Sequence, residues 1–324
     1  MATVGITIGI TLLLLSNSFS GQGEDVPLMN SEFQRLLKIS DIKVSGTEDL
    51  KYRFQIYKQN KQLVEEVNKK KLGYTLKLNN FALLSFDEFS SKVGLTKYGS
   101  GEKVEEEIMD NNLTAYSVDW RGKYDSTPVK NQTYTCNAGY AMAAAGAIES
   151  SIMKYRRQAV PLSSQQLIDC TIPFGNFACK GGYVSNSLDF IKQNGIGTEN
   201  SYRYIGIPGY CKNVTSFGGI KGYILLQNEV QIMTALNSQP VILSFEYNMD
   251  LQHYSGGIYK NRFGCGQNLN HFGVGVGYVY ETQNNSYWIV KNSFGTLWGE
   301  RGYLRMDMYS CGIARNRFNV ALME

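Results

Sequence analysis

The stretch "GYAMAAAGAIESSIMKY" (139–155) limits the possible folds more than any other part of the chain. Ala141, Ala143, Ala144, Ala145, Gly146 and Ala147 give a strong helix former with almost no side-chain bulk. A helix that is apolar on all sides has to be buried, so other elements must close around it. A second helix is signalled by "LSSQQLIDC" (162–170), with Ser163 at the N-cap and Gln166 three residues on, the pattern of a capping box. Further along, residues 239–247, 271–280, 286–294 and 301–308 read as strands separated by glycines and short polar runs. Helices first and strands second predict an α+β fold of two packed lobes.

Upstream of the buried helix the texture differs. Residues 30–95 are rich in lysine and glutamate, and Phe54, Tyr57, Val64 and Val67 form an apolar stripe at helical spacing. The run "NKKK" (68–71) reads as the solvated face of that helix. Residues 98–114 are polar, carry Gly99 and Gly101, and read as an exposed linker or processing region before a globular part spanning 115–324. At the start of the chain, an apolar run from Val4 to Leu15 is followed by small residues near Ser20. That run falls short of the roughly 20 residues a membrane span needs, and reads as a signal peptide over residues 1–20. The expected route is secretory, ending outside the cell or in a lysosome or vacuole, with no membrane partner.

Composition narrows the chemistry. A formal charge of +4 over 324 residues does not mark a nucleic-acid binder. Six cysteines (136, 170, 179, 211, 265, 311) in a chain of this route read as a disulfide set. Two histidines and no CxxC argue against a metal site, and no cofactor is implied. Sequons at Asn112, Asn131, Asn213 and Asn284 are glycosylation candidates. His271 precedes one predicted strand and Asn292 lies on the next, so the two can be neighbours.

The segments "PVKNQTYTCNAGYA", "LSSQQLIDC", "CKGGY", "LNHFGVGVGY", "YWIVKNSFGTLWGERGYLRM" and "CGIARNRF" resemble, in order and spacing, the papain family of cysteine proteases, with the cathepsin L group as the branch they look like. The upstream zone is similar to that family's propeptide, through Asp49-x3-Arg53-x3-Tyr57-x2-Asn60-x3-Val64-x3-Asn68 and "KLNNFALL". Here Lys77 replaces the glycine of the second motif, and Leu83 replaces the aspartate the family links to acid-triggered processing. The resemblance implies a helical left lobe, a β-barrel-like right lobe and a helical inhibitory propeptide over residues 21–97. It implies Gln132 as the oxyanion-hole residue, His271 as general base and Asn292 as its orienter. Gly181 and Gly182 would pair with an extended substrate, and Tyr183, Val184, Ser244, Phe272 and Asn316 would line the main specificity pocket. By the same resemblance Cys136 pairs with Cys179, Cys170 with Cys211, and Cys265 with Cys311. Phe294 replaces a tryptophan beside Trp298, which predicts a less well shielded Asn292.

The nucleophile is where the chain departs from the pattern. The family's Cys-Gly-Ser-Cys-Trp reads Cys136-Asn137-Ala138-Gly139-Tyr140. Counting from the helix places the nucleophile position at Gly139; counting forward from Gln132, after which one extra residue is inserted, places it at Ala138. Neither side chain can attack a carbonyl. The expectation is a catalytically inactive homologue with a peptide-binding cleft. Its partners would be a peptide or protein ligand, its own propeptide and cysteine-protease inhibitors captured as a decoy. The alternative is an active endopeptidase using a shifted nucleophile, Cys136, and a storage or structural role is a third class. Asn131-Gln132-Thr133 is itself a sequon, so a glycan there would sit beside the oxyanion hole.

Overall fold

The computed structural model describes residues 30–93, 115–266, 268–282, 285–313 and 317–320. Asn112, Asn284 and Asn316, the signal-like segment and the linker over 98–114 lie outside the described residues. Eight α-helices occur among them: α1 (Ser31–Ile39), α2 (Gly46–Lys69), α3 (Phe86–Val93), α4 (Gly139–Arg156), α5 (Ser164–Cys170), α6 (Val184–Asn194), α7 (Glu229–Ser238) and α8 (Met249–Gln252). Strands β1 (Tyr74–Leu76), β2 (Ser117–Asp119), β3 (Tyr223–Leu225), β4 (Val241–Phe245), β5 (Tyr254–Tyr259), β6 (His271–Val279), β7 (Tyr287–Lys291), β8 (Tyr303–Asp307) and β9 (Arg317–Val320) form one sheet. Its order is β1-β5-β8-β7-β6-β4-β9-β3, with β2 also paired to β6. The molecule is α+β, as the order of helical and strand patterns predicts.

The alanine-rich helix sits where its composition requires. Residues 139–152 of α4 are buried, and the helix packs against β6, α5 and α6. At Gly146 an added Cβ would lie 3.1 Å from Val274 Cγ2, so the small side chains permit this close approach to the sheet. The Ser163 hydroxyl caps α5 by accepting from the Gln166 N–H at 3.0 Å. The reciprocal arm of the predicted capping box is absent. Gln166 Oε1 instead accepts from the Gly197 N–H at 2.8 Å, and the Ser163 N–H donates to the Gly197 carbonyl. Tertiary pairing with the 197 strand-like segment supplies partners that a solitary helix start would take from its own first turn.

Residues 30–93 fold onto the rest as an added layer. Within them, the spaced polar residues of α2 hold backbone turns: Asn60 Nδ2 donates to the Ala82 and Leu84 carbonyls, and Asn68 bonds both the N–H and the carbonyl of Leu76. Arg53 reaches Asp49 on the same helix and Glu88 on α3. Strand β1 then pairs antiparallel with β5. The attachment rail is residues 250–254: Tyr74 Oη donates to Asp250, the Lys77 N–H to the His253 carbonyl, and Asn79 Nδ2 to the Gln252 carbonyl. Gln252 Nε2 returns two bonds, to the carbonyls of Phe81 and Leu84. One continuous core cluster runs from Phe33 and Tyr57 through Phe81 and Phe89 to Tyr247, Phe294 and Trp298; a second surrounds α4.

Candidate functional site

His271 opens β6 and Asn292 directly follows β7; the antiparallel β6–β7 pairing brings the two side by side. His271 Nε2 lies 2.7 Å from Asn292 Oδ1. That oxygen also accepts the Ser293 N–H at 2.8 Å, so the imidazole is the donor of the pair. Asn292 is held in place by its own N–H, which donates to the Gly302 carbonyl. Just before it, Lys291 Nζ is buried between Asp125 Oδ1 at 2.6 Å and the Thr127 carbonyl at 2.8 Å, while Tyr303 Oη donates to Asp125 Oδ2. Burial beside that carboxylate pushes the Tyr303 phenol well above its usual range.

The imidazole stands in an aromatic cage. It stacks on Phe294, 4.8 Å between centroids, and meets Phe245 and Tyr247 edge-on. Phe81 and Phe89 of the N-terminal layer close over Phe294 with edge contacts at 5.4 and 5.7 Å. The expected poor shielding of Asn292 is therefore corrected: the residue is 3% exposed. Around the smaller Phe294 ring, Tyr247 and Trp298 of the body, at 5.2 and 5.4 Å, and Phe81 and Phe89 of the N-terminal layer together supply the aromatic surface.

Opposite the ring lies the start of α4. A Cβ built on Gly139 would meet His271 Nδ1 at 3.2 Å, His271 Cε1 at 3.1 Å and Gln132 Oε1 at 3.5 Å. Gln132 is fully buried and fixed on every side. Its N–H donates to the Ser293 carbonyl, its Oε1 accepts from Ser293 Oγ at 2.7 Å, and its carbonyl accepts from Tyr204 Oη at 2.8 Å. Two residues earlier, Lys130 pairs with the buried Glu149 of α4 at 2.9 Å, clamping this loop to the helix. The inserted residue leaves a mark: Thr133 has φ +58°, a left-handed conformation that costs a β-branched residue about 1–2 kcal/mol. The turn is held by Thr133 Oγ1 donating to the Gln132 carbonyl and by Thr135 Oγ1 reaching the Gly206 carbonyl.

All six cysteines of the chain are consumed in bridges: Cys136–Cys179, Cys170–Cys211 and Cys265–Cys311. Cys136 is fully buried, and no thiol is left. Of the residues expected to contact a ligand, Ser244 and Phe272 are direct cross-strand partners on β4 and β6, and both are buried. Val184 begins α6 and is buried in the same core cluster as Phe272. Tyr183 is half-buried, its N–H donating to Asn176 Oδ1. A Cβ on Gly182 would approach Asn176 to 2.6 Å and Tyr140 to 2.9 Å, so only glycine fits there; Gly181 has φ +107°. Asn131 and Asn213 are exposed. Sequence reading missed Ser293, Tyr204, Asn137 and the Lys130–Glu149 pair. Ser293 could have been sought as the neighbour of Asn292; the others carry no local signal. Among the described residues no group of His, Cys, Asp or Glu side chains could hold a metal ion, and no helix is long and apolar enough to cross a membrane.

A histidine hydrogen-bonded to an asparagine, opposite a glutamine and the first turn of a buried helix, is matched by a family model. Residues 114–321 match the papain family cysteine protease model. The chain belongs to the papain family. Residues 33–89 match the cathepsin propeptide inhibitor domain, so the N-terminal layer is the propeptide of a papain-family chain, docked on its own body. A cathepsin L-like proteinase of Fasciola hepatica is 34% identical over 290 residues, covering 85% of each chain. A pro-cathepsin H of Medicago truncatula is 35% identical over 281 residues, covering 82% of this chain and 79% of that one. Among solved structures, the digestive procathepsin L2 proteinase from Tenebrio molitor larval midgut superposes with a TM-score of 0.81 at 28% identity, covering 90% of this chain and 99% of the other. A recombinant stem bromelain precursor gives 0.79 at 32% identity, covering 89% and 97%.

Proposed function

We propose that this papain-family chain is a pseudoprotease: it binds peptide or protein segments in its cleft and does not cleave them. The observation that carries the reading is Gly139. It occupies the first position of α4, where a side chain would point at His271 Nδ1, beside Gln132. In this fold a helix start lowers the pKa of a thiol placed there, and a neighbouring imidazole keeps the thiolate paired. A hydrogen atom at that position removes the nucleophile and leaves the base and its orienter with nothing to activate. Losing the nucleophile from such a unit costs on the order of 10⁶ in turnover. The shifted-nucleophile alternative is weakened because Cys136 is buried in a bridge with Cys179. The signal-like N-terminus and the three disulfides support a secretory route, and the exposed Asn131 and Asn213 are proposed glycan acceptors.

Exposure of the full chain to an epoxide probe for activated thiols, followed by peptide mapping, tests this directly. The expected result is no adduct and no cleavage of fluorogenic dipeptide amides, before or after an added protease cuts within 98–114. In Gly139→Cys, labelling at position 139 is expected, after the imidazole yields the few tenths of an ångström that a Cβ at 3.1–3.2 Å demands. Adducts on Cys136 together with peptide cleavage would overturn the proposal.

A further inference from the structure

We infer that a pocket beside the Gln132 loop is an effector site for a compact ligand with an ammonium group and an apolar body. The pocket has a volume of about 230 Å³ and is formed by the segment leading into Gln132, helix α4, the start of α5 and the 199–204 segment. That is below the roughly 300–1,000 Å³ of sites for drug-sized molecules, so it suits a small ligand. Val129, Met142, Pro161 and Tyr204 give it an apolar wall. Pro128 and Pro161 have a fixed φ, and Ser164 begins a capped helix, so the wall stands without a ligand.

Charge decides the polar end of that ligand. Lys130 is the one cation among the residues lining the pocket, and it is already committed. Its Nζ pairs with Glu149 Oε1 at 2.9 Å and donates to the Leu162 carbonyl at 2.8 Å. Glu149, just behind it, is 1% exposed, and its Oε2 has no partner among the described residues. Glu199 lines the pocket and accepts the Tyr204 N–H on Oε1 at 2.7 Å. Its Oε2 stands 3.9 Å from the Lys130 ammonium, too far for a hydrogen bond. Two carboxylates thus share one ammonium, and a second cation is the complement that a partly buried negative charge favours. Ser164 is an independent pointer: it lines the same pocket, is 1% exposed, and its hydroxyl has no partner among the described residues. A ligand N–H would recover the free energy that such a buried oxygen costs. The pocket also bears on the candidate site. Lys130 and Asn131 lead directly into Gln132, and Tyr204 Oη donates to the Gln132 carbonyl at 2.8 Å. A ligand packed against Tyr204 therefore steadies the loop that carries Gln132, whatever stands at position 139.

The test titrates the full chain at neutral pH with three probes of similar shape: phenethylamine, the neutral phenethyl alcohol and the anionic 3-phenylpropionate. Binding is read by saturation-transfer NMR. The amine is expected to bind about tenfold more tightly than the alcohol, the gain of a charge-assisted bond, and the acid more weakly than either. Glu199→Gln keeps an acceptor for the Tyr204 N–H but removes the charge, and is expected to bring the amine within about twofold of the alcohol. Ser164→Ala is expected to leave the melting temperature unchanged and to weaken the amine several-fold. At saturating amine, amide hydrogen exchange over residues 130–134, read by mass spectrometry, is expected to slow several-fold. Equal affinity for amine and alcohol, transfer to none of the probes, or an amine preference undiminished in Glu199→Gln overturns the site. Unchanged exchange over 130–134 overturns its effector role, and unchanged amine affinity in Ser164→Ala removes the hydroxyl from it. None of these outcomes touches the pseudoprotease reading, which thiol labelling and peptide cleavage decide.

Discussion

The two sides of the candidate site are built to different standards. On the sheet side, His271, Asn292 and Ser293 are hydrogen-bonded, Lys291 is doubly anchored, and the imidazole is enclosed by Phe245, Tyr247 and Phe294. On the helix side, a left-handed threonine and a glycine stand within seven residues of one another, while each side holds one asparagine, Asn137 and Asn292, whose buried Nδ2 has no partner. The contrast separates two reasons for a side chain to be where it is. The aromatic rings around His271 belong to the core that joins the propeptide to the body, so packing and structural hydrogen bonds suffice to hold the sheet-side geometry. Their arrangement is therefore weak testimony to chemistry. The helix-side loop enters a different core, the one around α4, through Cys136, Ala138 and Tyr140, and it holds the positions where the sequence departs from the family pattern.

The largest expected break in this comparison comes from the anchored wall. Asp125→Ala leaves Lys291 buried without its counter-charge, and should cost about 3–5 kcal/mol in urea unfolding. A loss below about 1 kcal/mol would mean the sheet wall is not held by that pair.

Acid should act next, and on the sheet-side rail. Burial alone pushes the His253 imidazole down from 6.5 to about 3, and neither ring nitrogen has a partner. The charged groups on elements around it are engaged elsewhere: Asp250 with Tyr74, Glu300 with Arg305 and the Gly257 N–H, while Lys77 is exposed. A folded-state value depressed below the unfolded one means that the unfolded chain takes up the proton first. Stability is therefore full above about pH 6.5 and declines as pH falls toward about 3. The slope of 1.4 kcal/mol per unit predicts a loss of about 2–3 kcal/mol by pH 4.5. His253→Leu should flatten that part of the profile; an unchanged slope would assign acid sensitivity to other groups. Because the His253 carbonyl holds the Lys77 N–H, the same acid range should loosen the propeptide.

The smallest effect sharpens the helix side. Thr133→Gly relieves the left-handed backbone but gives up the hydroxyl bond to Gln132, and is expected to stabilise the protein by up to about 1 kcal/mol. Thermal melts of bacterially made protein, free of any glycan on Asn131, would show it. Destabilisation would mean that the Thr133 and Thr135 hydroxyl network outweighs the strain.

Much of this was legible in the chain itself, for identifiable reasons. The α4 boundary, β4, β6, β7 and β8 follow from composition and period because each is buried on at least one face, and burial is what hydrophobic patterning records. Strand β1 escaped because three residues are too few for a period to develop, and its place is decided by β5, some 180 residues away. The stripe of α2 correctly marked Tyr57, Val64 and Val67, but not that Asn60 and Asn68 on the same helix serve as backbone clamps. The local motif around Phe294 does not show that Tyr247, Phe81 and Phe89, distant in the chain, join Trp298 in packing around it. Asn137 is the hardest case: an absent bond leaves no trace in a sequence.

Strand β1 completes an edge of the sheet, and the aromatic core continues across the seam without a break. A cut in the connecting chain does not by itself undo either. While that connection is intact, the propeptide is held at an effective concentration of about millimolar, and its departure is an internal opening. Once severed, the same contacts face dilution, and occupancy becomes a matter of how much protein is present. For a protein of this build, whether the propeptide stays docked would then vary with local abundance as well as with proteolysis.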